Sequence, residues 1–141
     1  MNKQERKTEK KVIELKPGME NINVTVRVIE AQAPKVIQTR RGPRTISEAI
    51  VGDETGRTKM TLWGSQAGSI EEGQALHIEG AWTTSYKGQV IINIGNRSRV
   101  EEVEEGEVPE PENIPQDTPQ APLEYKSRQP KRKYFSNRQR R

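Results

Sequence analysis

Three rings stand where chemistry is possible. Trp63, Trp82 and Tyr86 make up half of the six aromatic residues in this 141-residue chain, each beside a glycine or a hydroxyl residue. Cations lie close to them in sequence: Arg40, Arg41 and Arg44 in the run QTRRGPR, Lys59 just before Trp63, and Lys87 directly after Tyr86. Rings interleaved with cations suit one kind of ligand best. Unpaired nucleobases offer π-faces that stack on aromatic side chains, while the phosphates between them need counter-charge. A duplex hides those faces, so such a surface selects single strands without reading sequence. The competing reading is that a small β-domain buries its few large side chains. Parity decides for Trp63: along RTKMTLW, Met60 and Leu62 share one face while Lys59, Thr61 and Trp63 share the other. The register of Trp82 after Gly80 stays open, and Tyr86 is expected exposed in a short TTSYKG loop.

Other chemistries lack their residues. The chain has no cysteine and a single histidine, His77, which removes disulfides, thiolate sites and cysteine nucleophiles. No serine sits in a nucleophile-elbow context, and no phosphate-binding glycine loop ends in Lys-Ser or Lys-Thr. His77 has opposite parity to Leu76 and Ile78 and reads as a surface or groove residue. Asp53 and Glu54, bracketed by Gly52 and Gly56, read as turn formers rather than metal ligands. A non-enzyme that needs no cofactor or metal is expected.

The elements that must carry the rings follow from alternation. Ile22, Val24, Val26 and Val28 alternate with Asn23, Thr25, Arg27 and Ile29, which predicts a half-buried first strand with Arg27 on its outer face as a candidate phosphate contact. The segment APKVIQTRRGPRT contains Pro34 and Pro43 and predicts a long basic loop able to close on a phosphate backbone. Strands are then expected at Ile46 to Val51, Arg57 to Trp63, Gln74 to Trp82 and Gln89 to Gly95, with Ile70 anchoring the polar connection between the third and fourth. Five strands in this order, with a long loop after the first and a small connecting element after the third, predict an all-β, five-stranded OB-fold barrel. Such barrels bind along strands two and three and between the flanking loops.

Charge divides the chain further. The total is 24 Lys/Arg against 20 Asp/Glu, a net +4. Residues 1–17 form a charged N-terminal leader of net +3, and residues 18–100, the predicted barrel, carry only +2. Residues 101–117 hold eight acids and no base, followed from residue 118 by eight bases against Glu124. An acidic, proline-rich linker at 101–118, extended by self-repulsion, and a basic disordered tail at 119–141 are predicted. The pI near 9.4 and mean hydropathy of −0.99 fit a polyanionic partner. With no apolar run of membrane-spanning length and no signal-peptide core, a cytoplasmic, nucleoid-associated protein is expected. No spare apolar face is visible, so a monomer is expected.

The runs NVTVRVIEA (23–31), TISEAIVGDETGRTKMTLWG (45–64), AGSIEEGQ (67–74) and AWTTSYKGQV (81–90) resemble the single-OB, single-stranded DNA-binding proteins of archaea, relatives of replication protein A. The resemblance spans roughly residues 16–100. It implies that Trp63, Trp82 and Tyr86 stack on bases, with tyrosine where a phenylalanine is common, during replication, repair and recombination. It also implies that a C-terminal tail recruits replication and repair proteins, although here the tail is acidic first and basic last. Two alternatives follow from the same residues: an RNA-binding OB module, or a protein-interaction subunit with its tryptophans buried against a partner.

Overall fold

A computed structural model describes residues 9–121. Its strands are β1 (Ile22–Ala31), β2 (Lys35–Thr39), β3 (Gly42–Asp53), β4 (Gly56–Trp63), β5 (Ala75–Tyr86), β6 (Gln89–Ile94) and β7 (Arg99–Glu102). Five of them close a barrel in the order β1-β3-β4-β6-β5, with β5 pairing back onto β1 and β4 running parallel to β6. This is the topology of an OB-fold, as expected. Inside lie Val24, Val26, Val28, Val51, Met60, Leu62, Ile78, Val90, Ile92 and Ile94, all fully buried. Ile70 joins that core from the connection between β4 and β5, and Val12 and Leu15 of the leader join it too. From residue 9 onward the leader is pinned to the barrel: the Val12 amide donates to Asp53 Oδ2 at 3.0 Å. Asp53 also accepts from the amide and hydroxyl of Thr55, which makes it the organiser of its turn. Beside it, a 2.7 Å contact with the Lys11 ammonium holds the Glu54 carboxyl below its ordinary range.

The expected long loop before Ile46 is a β-hairpin. β2 pairs with the first half of β3 from Lys35↔Ile46 to Thr39↔Gly42, leaving Arg40 and Arg41 as the turn. Pro43 is tolerated because β4 stops at Ile46↔Trp63, so no neighbour beyond β2 requires a donor there. The loop expected to carry Tyr86 is likewise strand: β5 continues through Thr83, Thr84 and Ser85 to Tyr86↔Gln89, and Lys87-Gly88 make a two-residue turn with φ of 53° and 81°.

One irregularity decides where Trp82 points. Leu76 and Ile78 face the core, so unbroken alternation would send Trp82 inward with them. Between Val24↔Ile78 and Ile22↔Ala81, however, Glu79 and Gly80 together oppose Asn23, and Gly80 takes φ of 76°. This β-bulge reverses the parity, so that Ala81 and Thr83 turn inward and Trp82, Thr84 and Tyr86 outward. Gly80→Ala forces a side chain into left-handed backbone at a cost of about 1–2 kcal/mol. We expect a lower unfolding midpoint and weaker ligand binding together, measured by thermal melts and by titration of the same protein.

Residues 103–121 do not stand off as an extended linker. They form a strap along the barrel, with Val108, Ile114 and Ala121 buried. Guanidinium groups grip its backbone. Arg27 donates to the carbonyls of Glu105, Val108 and Pro109, and Arg57 to those of Ile114 and Pro115. The strap passes so close over the β3–β4 turn that a Cβ on Gly52 would meet Ile114 at 2.7 Å, and one on Gly56 would meet the Asp117 carbonyl at 2.5 Å. It ends with the Ala121 amide on the Gly88 carbonyl, 2.9 Å. The disordered-tail expectation for 122–141 falls outside the described residues. Among the described residues no helix is long and apolar enough to cross a membrane.

Candidate nucleic-acid interface

The outer face of the sheet gathers most of the expected site. β4 presents Lys59, Thr61 and Trp63; β5 presents Trp82, Thr84 and Tyr86; β6, between them, presents Ile91 and Asn93. Cross-strand pairs place these residues side by side: Trp82 faces Asn93, Asn93 faces Thr61, and Lys59 faces Ile91. On the far side of β4, β3 adds Ile46 opposite Trp63 and Ile50 opposite Lys59. Ile46 and Ile91 are buried but stand apart from the barrel core cluster, which gives the face an apolar floor of its own.

Between the two indoles lies a cleft of about 300 Å³ lined by Arg44, Trp63, Gly64, Trp82, Gly95 and Asn96. The floor at Gly95 has no side chain, and a Cβ there would stand only 3.2 Å from the Trp82 ring. Arg44 lies over Trp63, its guanidinium carbon 5.9 Å from the ring centroid, and Lys87 lies 5.3 Å from the centroid of Tyr86. Each cation sits at a ring's negative face, so charge and stacking surface are offered together. Tyr86 is the most open of the three rings at 60% exposure, while Trp63 and Trp82 are half-buried by the cleft.

A hydrogen-bonded asparagine orients the first ring. Asn93 is 4% exposed; its Oδ1 accepts from Trp63 Nε1 at 3.0 Å, and its Nδ2 donates to Thr84 Oγ1 at 3.1 Å and to the Ile91 carbonyl at 3.3 Å. The indole is thereby tied to the two strands beside it, and a ring held in place loses less freedom when a ligand binds against it. Asn93 was not among the expected residues, although its parity opposite Ile92 and Ile94 in VIINI already put a polar group on the outer face.

Not every expected contact is on this face. Arg40 and Arg41 stand exposed at the tip of the β2–β3 hairpin. Arg27 is removed from it altogether: at 1% exposure it is among the most buried residues, paired with Glu105 at 2.7 Å and bonded to Gly73 and to the strap. Its outward parity was read correctly, but the strap covers that side of β1. His77 is also buried rather than superficial, at 8% exposure, hydrogen-bonded to Thr25 at 2.9 Å and facing Glu79 at 3.3 Å. The reason is that β5 is flanked there by both β1 and β7, at Thr25↔His77 and His77↔Glu101. Among the described residues no group of three or more acidic or histidine side chains could hold a metal ion.

A closed OB barrel with rings and cations on one sheet face defines the class: an oligonucleotide-binding type of fold with an aromatic platform. Residues 15–102 match the family described as single-stranded DNA binding protein Ssb-like, OB fold, and the chain belongs to that family. It is 60% identical over 114 residues to the single-stranded DNA binding protein Ssb of Saccharolobus solfataricus, covering 81% of this chain and 77% of that protein. Among solved structures it resembles a hypothetical protein from Arabidopsis thaliana, with TM-score 0.60 and 26% identity over 84% of this chain and 86% of that one. It also resembles a replication factor A related protein from Methanobacterium thermoautotrophicum, with TM-score 0.59 and 24% identity over 68% and 91% of the two chains.

Proposed function

We propose that this protein binds and protects single-stranded DNA, largely without regard to sequence, by stacking bases on Trp63, Trp82 and Tyr86. The observation that carries the reading is the shared outer face of β4, β5 and β6, which holds all three rings and has a cleft between Trp63 and Trp82. Arg40, Arg41, Arg44 and Lys87 neutralise phosphates along the rim, Lys59 does so from within the face, and Thr61 offers a hydroxyl on the floor. Arg27 is left out of the set because its donors are already spent on the strap. Sixty percent identity to a protein named for single-stranded DNA binding supports the same ligand for this chain. Its use is the protection of strands laid bare in replication, repair and recombination.

The test is affinity for a labelled oligodeoxynucleotide, single-stranded and as its duplex, across a salt series, with the matched RNA strand beside them. Single-stranded DNA is expected to bind far more tightly than duplex. About four neutralised phosphates would give a slope of log K against log salt near −3, at roughly −0.7 for each. Equal affinity for duplex would overturn the stacking reading; preference for the RNA strand would move the protein to RNA.

A further inference from the structure

Among the described residues the platform face carries Glu48 within it and Glu30 at its β1 margin, opposite Ile50. Glu48 of β3 is paired with Thr61, between Ile46, which faces Trp63, and Ile50, which faces Lys59. It therefore shares the outer face with the rings, and its diagonal cross-strand neighbours on β4 are Trp63 and Lys59. Side chains in that relation start about 7–8 Å apart, within reach of a long residue. The Glu48 side chain is 32% exposed, and Lys35 Nζ lies 3.6 Å from its carboxylate.

For a site that receives a polyanion this placement is costly if the phosphates lie over it. The cations show where they lie instead. Arg40 and Arg41 stand at the hairpin tip and Lys87 at the β5–β6 turn; within the face Arg44 lies over Trp63 and Lys59 stands between Ile50 and Ile91, and the rest is rings, hydroxyls and apolar floor. A strand that sends its phosphates to the rim turns its bases toward the sheet. Glu48 then meets base edges, not phosphates.

A carboxylate can only accept hydrogen bonds. Cytosine offers it an exocyclic amino group, the pairing by which Asp and Glu ordinarily recognise that base. Thymine and uracil offer one imino N–H flanked by two carbonyl oxygens, which repel it. Lys35 holds the carboxylate on the β3 side of the platform, next to the base stacked on Trp63. We propose that Glu48 reads base edges and favours cytosine over thymine among the pyrimidines, giving a non-specific platform one selective position. This rests on the reading of the platform as a single-strand site.

The experiment compares the full chain with Glu48→Gln and Glu48→Ala, using labelled oligo-dC and oligo-dT of one length at one salt concentration. The wild type is expected to bind oligo-dC about tenfold more tightly, the scale of one hydrogen bond to a charged group. In both variants that ratio should fall to within about twofold, with oligo-dT binding tightened because a negative charge has gone. Glu48 is partly exposed and outside the barrel core, so both variants keep the fold, which a thermal melt checks. A dC-to-dT ratio unchanged between wild type and both variants overturns the inference. Failure of the platform reading looks different: the wild type would then bind neither oligomer.

Discussion

Trp63→Ala is expected to weaken binding of single-stranded DNA by about 2 kcal/mol, roughly thirtyfold, within the range for loss of one stacked base. It is placed first among the rings because three interactions converge on it. Asn93 fixes its indole through Nε1, Arg44 lies over its face, and it forms one wall of the cleft shared with Trp82. The protein should stay folded, because Trp63 is absent from the barrel core cluster and faces away from Met60 and Leu62. Anisotropy of a labelled oligomer at fixed salt measures the loss, with an unfolding curve alongside. A tryptophan serving only to pack would show the reverse, a large drop in stability with affinity per folded molecule unchanged.

Arg27→Met should do what Trp63→Ala does not. Its guanidinium is paired with Glu105 and donates to carbonyls of Gly73, Glu105, Val108 and Pro109. Methionine keeps much of the volume but leaves those acceptors unmatched beneath the strap. Glu105 is exposed, so no charge is left buried, but each buried carbonyl left without its donor costs about 1–3 kcal/mol. The midpoint of urea unfolding should therefore fall sharply, while affinity for single strands and its salt dependence, measured on folded protein, stay as in the wild type. A phosphate-binding arginine would give the opposite pair of results: stability retained, and a salt slope made shallower by one contact.

These two side chains mark what the sequence could reveal. Alternation placed both correctly, since Trp63 and Arg27 do point away from the barrel core. For Trp63 the outer face is the proposed platform, so its parity agrees with the role proposed for it. For Arg27 it is the floor of the strap, and nothing local to β1 announces a segment nearly eighty residues later, |i−j| = 78 for Glu105, that folds back to cover it. Composition pointed the wrong way there. Acids and prolines over 101–118 read as self-repelling chain, yet Val108 and Ile114 are spaced to dock, and the backbone carbonyls satisfy two arginines while the acidic groups remain largely at the surface.

Trp82 shows a different kind of limit. Its outward direction depends on one extra residue in β5, and a bulge breaks the period on which every parity argument rests. Gly80 hinted at it, but only the pairing of Glu79 and Gly80 against Asn23 resolves it. The hairpin of β2 and β3 was hidden by its prolines, which matter less at a sheet margin than in its middle. Asn93 and Glu48 are polar residues that alternation alone would put on the outer face, though neither was singled out. Their meaning came from what stands opposite: Trp82 and Thr61 for Asn93, and Thr61 for Glu48.

The central claim is that both indoles stack on bases, and single-tryptophan proteins test it most directly. Trp82→Phe leaves Trp63 as the reporter and Trp63→Phe leaves Trp82, each with a ring retained at the altered position. Titrated with a single-stranded oligodeoxynucleotide, each is predicted to lose much of its tryptophan emission in step with binding, and neither to respond to the same sequence as duplex. Binding that leaves the emission of either tryptophan unchanged would contradict the claim and remove that ring from the platform.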